Sequence, residues 1–176
     1  MSASSKVKPL VLSGLFIALG FLLPFLTGQI PEIGRLLSPM HIPALLCGFV
    51  CGWPYGLAVG FITPLLRSLT LGMPPLMPTG IAMAFELAAY GAAAGLLYRK
   101  LPKTTVWLYV SLIAAMLIGR LVWGLVSIPL YLAAGSAFTW AAFLAGAFAR
   151  AVPGIICHIA VVPLVVLALR RAKFME

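Results

Sequence analysis

The chain has 176 residues, of which 63% are hydrophobic and only 9% charged, with a mean hydropathy of +1.14 and a net charge of +9. A soluble domain carries about 25% charged residues, so this composition excludes a water-soluble protein and leaves no room for a soluble catalytic domain. At ~20 residues per helical crossing with short loops, the length suits about six spans. The expected architecture is an all-α integral membrane protein, a six-span helical bundle forming a single transmembrane domain over residues 1–176.

In chain order, residues 1–8 are polar, and an apolar run follows over 9–26 with no A-x-A-like cleavage site. That run reads as a retained helix and not as a signal peptide. Residues 27–40, rich in Gly, Pro and polar groups and including Arg35, have loop chemistry. The second apolar stretch, 41–50, ends at Gly52-Trp53-Pro54-Tyr55-Gly56, which predicts a tight turn, and a third covers 57–71. Both are short for a full crossing, so tilt or flanking loops must supply the rest. A Pro-rich loop over 72–78 leads to a fourth span at 79–98 and a basic loop at 99–103. The fifth span is expected over 105–128, with Pro129 at its exit. After a loop at 133–138, the last helix covers 140–169, with a kink or a preceding short helix because of Pro153.

Eight of the twelve basic residues lie outside these spans in three groups: Lys6 and Lys8; Arg99, Lys100 and Lys103; Arg170, Arg171 and Lys173. An even number of crossings puts all three groups on one face, and the positive-inside rule makes that face cytoplasmic, with both termini. The net charge is then a topological bias, and nucleic acid is not the expected partner.

The remaining charges fall within or beside apolar stretches. A charge in the bilayer costs roughly 2.5–3.5 kcal/mol unless it faces a cavity or a partner. Counting 1.5 Å per helical residue, Arg67, Glu86, Arg120 and Arg150 come to similar depth in the outer half, with His41 opening the second span from outside. His158 lies about two turns below Arg150. Two readings stay open for each arginine: contact with backbone carbonyls or headgroups near the interface, or contact with a ligand. Convergence on Glu86 makes Glu86, Arg67, Arg120, Arg150, His41 and Trp123 the candidate substrate-binding set, Trp123 as an aromatic wall. Trp53 is expected as an interface anchor. Cys47 and Cys51 are one helical turn apart, with no C-x-x-C and no dense ligand cluster, and read as small apolar residues.

No P-loop, G-x-S-x-G or H-E-x-x-H occurs, so no catalytic residue, cofactor or metal is expected, and the chain cannot draw on ATP by itself. A self-contained secondary carrier and a small membrane enzyme stay open as alternatives. Against the first stands the lack of an internal repeat around Glu86; against the second, the single intramembrane carboxylate.

Several segments together resemble the S component, the substrate-binding membrane subunit of energy-coupling factor (ECF) vitamin transporters. Gly14-x-x-x-Ala18 in the first span is similar to the family's small-x-x-x-small signature, with Gly14 in place of the usual alanine. Ser38-Pro39-Met40-His41-Ile42-Pro43, the Gly52 to Gly56 segment, Glu86-Leu87-Ala88-Ala89-Tyr90-Gly91 and Pro153-Gly154-Ile155-Ile156 are also similar to that family. The resemblance implies a protein of the prokaryotic plasma membrane that binds a vitamin from outside. It further implies assembly with a scaffold transmembrane subunit, docked at Gly14 and Ala18, and with two cytoplasmic ATPases. Three arginines against one glutamate favour a carboxylate-bearing solute such as pantothenate. A flat ring such as pyridoxine or riboflavin, held by the tryptophans, is the next choice.

Overall fold

The computed structural model describes residues 4–27, 37–149 and 151–175, and among them there is no β-strand. The first helix, α1 (Ser4–Leu22), runs into a tighter helical turn, Leu23–Thr27. It starts five residues before the expected Pro9, which lies inside the helix as its sixth residue and removes one amide from the helical hydrogen bonds. Helix α2 (His41–Cys51) and helix α3 (Trp53–Leu71) follow, and an irregular helical turn, Leu76–Gly80, leads into α4 (Ile81–Lys100). Helix α5 (Thr105–Ala133) contains Pro129 and ends five residues later than its sequence suggests. The last segment is divided as Pro153 implies: a short α6 (Trp140–Leu144), an irregular turn Ala145–Ala149, and α7 (Val152–Arg171).

Among the described residues, four stretches are long and apolar enough to cross a membrane: Val7–Leu26, Leu76–Lys100, Thr105–Ala133 and Trp140–Arg171. Helix α2 has only 11 residues, about 16 Å of rise against a hydrocarbon core of ~30 Å. It is nonetheless the most enclosed helix, with every residue from Pro43 to Phe49 buried. Its outward end therefore stops inside the bundle, and residues 37–40 continue the chain there. Irregular backbone is tolerated at such depth only where protein encloses it or where it lines a cavity.

The turn expected over residues 52–56 is a single residue. Gly52 takes φ 93° and reverses the chain, and α3 starts at Trp53 with Pro54 in its first turn, a position that suits proline because its amide would be unpaired anyway. Gly56 is not a turn residue. It is buried where α2, α3 and α4 cross, and a Cβ there would strike Gly48 and the Gly91 carbonyl. A Cβ on Gly48 or Gly91 would likewise strike backbone of the facing helix. Small residues let helix backbones approach closely in lipid, where van der Waals packing and not the hydrophobic effect holds helices together. The core beside this crossing contains Leu45, Val59, Tyr90, Leu108, Leu112 and Val162, all at most 1% exposed.

This crossing predicts a sharp contrast. Gly91→Val forces α3 and α4 apart and should destabilise the bundle by about 3 kcal/mol, near the upper range for overpacking. Gly14→Ala, where an added Cβ meets nothing within 4 Å, should not lower the midpoint of thermal unfolding in detergent and should raise it slightly, since alanine is the better helix former.

Candidate functional site

Glu86 lies on the buried face of α4 and is 2% exposed. Its Oε1 is 2.8 Å from a terminal guanidinium nitrogen of Arg120 on α5 and 3.6 Å from Nε2 of His41, the first residue of α2. No N–H of Arg120 points along the short contact, so it is an ion pair without a directed hydrogen bond, and Arg120 Nε has no acceptor. The pair has the sign and proximity to hold a carboxylate in an apolar interior, where an uncompensated charge is untenable.

Around this pair the α-helical repeat places further polar groups. Tyr90, one turn after Glu86, brings its ring to 5.3 Å from that of His41. The other side of the His41 ring stacks on His158 of α7, with centroids 5.6 Å apart and an interplanar angle of 23°. His158 Nε2 is 3.2 Å from the Ser38 carbonyl. A carbonyl only accepts, so Nε2 carries the proton and Nδ1 is the acceptor. The Ser38 carbonyl also receives the His41 backbone N–H at 3.0 Å. Ser38 itself has φ 46°, a conformation side chains rarely adopt. This loop and α7 are thus joined through one oxygen. On α5, Ser127 lies two turns beyond Arg120 on the same face and is fully buried.

Ser127 Oγ, His158 Nδ1 and His41 Nδ1 are buried without a hydrogen-bond partner, and Tyr90 Oη and His41 Nε2 interact with the Glu86 carboxylate without closing a well-formed hydrogen bond. Such groups cost about 1–3 kcal/mol each when left unpaired, and native structures contain few of them. Those of Tyr90, His41 and His158 gather near one carboxylate, on three helices, whereas Ser127 lies two turns further along α5 than Arg120.

Of the residues singled out from sequence, Glu86, Arg120 and His41 come together. Arg67 does not join them. Its guanidinium donates to the Phe21 carbonyl at the end of α1 at 2.6 Å, and lies 5.9 and 5.1 Å from the ring centroids of Phe21 and Phe25. It is 4% exposed, its charge met by a carbonyl and two aromatic faces. Trp123 packs edge-on against Phe138 at 5.4 Å and stacks on Phe143 at 6.2 Å, in an aromatic group that also includes Trp140. Arg35 and Arg150 lie outside the described residues. Tyr90 and Ser127 are absent from the sequence-derived set. The signal for Tyr90 was its i+4 spacing from Glu86; Ser127 carried none, since a serine on an apolar helix is ordinary.

Among the described residues, no group of three or more His, Cys, Asp or Glu side chains is placed to hold a metal ion. Cys47 and Cys51 are free thiols, and Cys47 Sγ is 3.8 Å from Ser13 Oγ.

A helical bundle with apolar spanning helices and one enclosed ionic cluster defines a small polytopic membrane protein. Over residues 8–166 the chain matches the family model described as ECF transporter, substrate-specific component, and it belongs to that family. No curated protein and no solved structure gives a match. The chain is therefore membrane-embedded, a substrate-binding subunit of an ECF importer and not an enzyme. Subunits of this family work with a scaffold membrane subunit and ATPases.

The Arg67 geometry predicts a structural phenotype. Arg67→Met removes the donor from the Phe21 carbonyl and should cost about 1–3 kcal/mol of stability, seen as a lower midpoint of thermal unfolding in detergent. Solute affinity of the folded fraction should change far less than on removal of Arg120.

Proposed function

We propose that the enclosed cluster of Glu86, Arg120 and His41, with Tyr90 and His158, is where the imported solute binds, with Trp123 and its aromatic neighbours as an adjoining wall. The observation that carries this reading is the convergence on one ion pair of buried donors and acceptors that lack a well-formed hydrogen bond. A polar solute entering there supplies the missing partners and regains part of the cost of burying them. Arg120 is half-buried and has an unused Nε, so it can turn toward a ligand while remaining close to Glu86.

Charge accounting revises the class of solute. An anionic vitamin such as pantothenate follows from three arginines facing one glutamate. With Arg67 held by the Phe21 carbonyl and Arg120 by Glu86, the described part of the cluster is close to neutral. A neutral ring with hydroxyl groups and a ring nitrogen suits it better. Such a solute can pair with Tyr90 Oη and the histidine nitrogens, and its face can stack on the tryptophan wall. Pyridoxine is the vitamin of this description.

The test is calorimetry on the purified chain with pyridoxine and pantothenate in parallel. Pyridoxine should bind and pantothenate should not. Truncating one member of a buried charge pair costs about 2–5 kcal/mol, so Arg120→Ala and Glu86→Gln should each weaken binding by roughly 30-fold to several-thousand-fold. Affinity within threefold of the parent in both variants, on monodisperse protein, would place the site elsewhere.

The docking reading for α1 has support of a different kind. Gly14 and Ala18 share an outward face of α1 with Leu10, Leu15 and Leu22, each more than half exposed. The next small residue, Gly20, instead packs on Thr63 of α3. A smooth track between leucines lets a partner helix approach in lipid, and we assign it to the scaffold subunit. Gly14→Leu or Ala18→Trp should abolish co-purification with the scaffold and ATPases, and with it uptake. Solute binding by the isolated chain should stay within twofold.

A further inference from the structure

At the end of the bundle where the basic groups gather, far from Glu86 along the helices, lies a partly open cavity of about 610 Å³. Its walls come from the start of α1 (Lys8), the Gly52 reversal with Trp53, the end of α4 (Tyr98, Arg99), the following loop (Lys103), and Phe174 near the C-terminus. Three of these residues are cationic, and among the described residues no acidic one lines the cavity. Among the described residues, the cations that are engaged have neutral partners. Lys8 donates to the Phe174 carbonyl at 2.8 Å and lies 4.2 Å from the centroid of its ring. Lys103 lies 4.1 Å from the centroid of the Tyr98 ring. Arg170 adds a fourth charge close by, donating to the Lys103 carbonyl at 2.6 Å. The crowding is felt at Lys103, whose ammonium is pushed below the ordinary lysine range, first by burial and then by Arg170. Tyr98 supplies an independent sign. It is 4% exposed and contributes to the cavity wall, yet its hydroxyl has no hydrogen-bond partner. Helix α3 starts at the same wall without a side-chain cap on its amides, which adds partial positive charge.

Clustered uncompensated cations, an unused hydroxyl donor and an aromatic rim at a membrane–water boundary match one chemistry. We propose that this cavity binds a phosphate-bearing anion at the cytoplasmic interface, with Lys8, Arg99 and Lys103 facing the phosphate and Tyr98 Oη donating to it. Two sources carry that group: the headgroup of an anionic phospholipid, and free phosphate. Polybasic segments at this boundary attract anionic lipid, and Trp53 and Tyr98 have the amphipathic rings that favour the headgroup level.

The experiment uses the full chain in detergent micelles, with dioctanoyl phosphatidylglycerol, dioctanoyl phosphatidylcholine and inorganic phosphate as probes, read by native mass spectrometry and by ligand-induced shift of thermal unfolding. The parent should retain phosphatidylglycerol at least tenfold better than phosphatidylcholine. Lys8→Gln/Arg99→Gln/Lys103→Gln should lose about 30-fold or more in phosphatidylglycerol affinity. Arg171→Gln/Lys173→Gln, which removes equal-sign charge beyond the cavity wall, should stay within threefold. Retention of phosphatidylglycerol against excess phosphate identifies the lipid headgroup as the source; its displacement identifies free phosphate. If the triple variant does not remain monodisperse, Tyr98→Phe and Arg99→Gln read singly serve instead, each expected to lose threefold or more. A parent that holds neither phosphatidylglycerol above phosphatidylcholine nor phosphate overturns the proposal. So do variants that match the parent.

Discussion

The pairing of Glu86 with Arg120 is the constraint on which the interior depends. A lone carboxylate at this depth would be intolerable in hydrocarbon, and a lone guanidinium nearly so. At 2.8 Å each offsets the other, and the two helices that bear them are obliged to lie side by side. His41 completes the surroundings from α2, so the start of that helix must reach the same level. The tight glycine crossing of α2, α3 and α4 makes this possible, because it draws α2 close enough for a ring at its first residue to approach a side chain on α4. Packing and polarity are therefore coupled: an added methyl group at Gly48 or Gly91 would move His41 relative to Glu86 as well as loosen the bundle.

The brevity of α2 gives the cluster its setting. A full-length span would carry its backbone amides and carbonyls in helical hydrogen bonds past the level of Glu86. Eleven residues end it there, and the Ser38 carbonyl becomes available to His158 and to the His41 amide. A strained loop residue and an unpartnered histidine nitrogen meet at the same place. Buried polar groups without partners and a residue in an uncommon backbone conformation are features that stable packing alone does not favour, and both gather where solute binding is proposed.

Much of the bundle was legible in the sequence because hydropathy and length act at the scale of whole helices. The apolar runs, the basic loops, the break before α7 and the intramembrane Glu86 are all plain in the residues. Helix ends were less so. Gly52 to Gly56 looks like a turn because glycine and proline are ambiguous: one glycine reverses the chain and the other lets backbones touch, and only tertiary contacts separate them. The arginines show a similar limit. Helix rise places Arg67 and Arg120 at comparable depth but says nothing of azimuth, and it is azimuth that sends one to the Phe21 carbonyl and the other to Glu86. Tyr90 was reachable by its spacing from Glu86, whereas Ser127 and the Ser38 carbonyl depend on how three helices are arranged.

The Arg67–Phe21 contact has a mechanical meaning. It ties the outer end of α1 to α3, while Gly20 and Thr63 press the same two helices together nearby. Helix α3 in turn lies against α4 through Gly60 and the backbone of Leu87, the residue next to Glu86. The helix assigned to the scaffold is thus linked to the ionic cluster through two rigid joints. In the proposed assembly a tilt imposed on α1 works as a lever whose short arm ends at the carboxylate, so grip on the solute and hold on the partner are set by one rigid linkage.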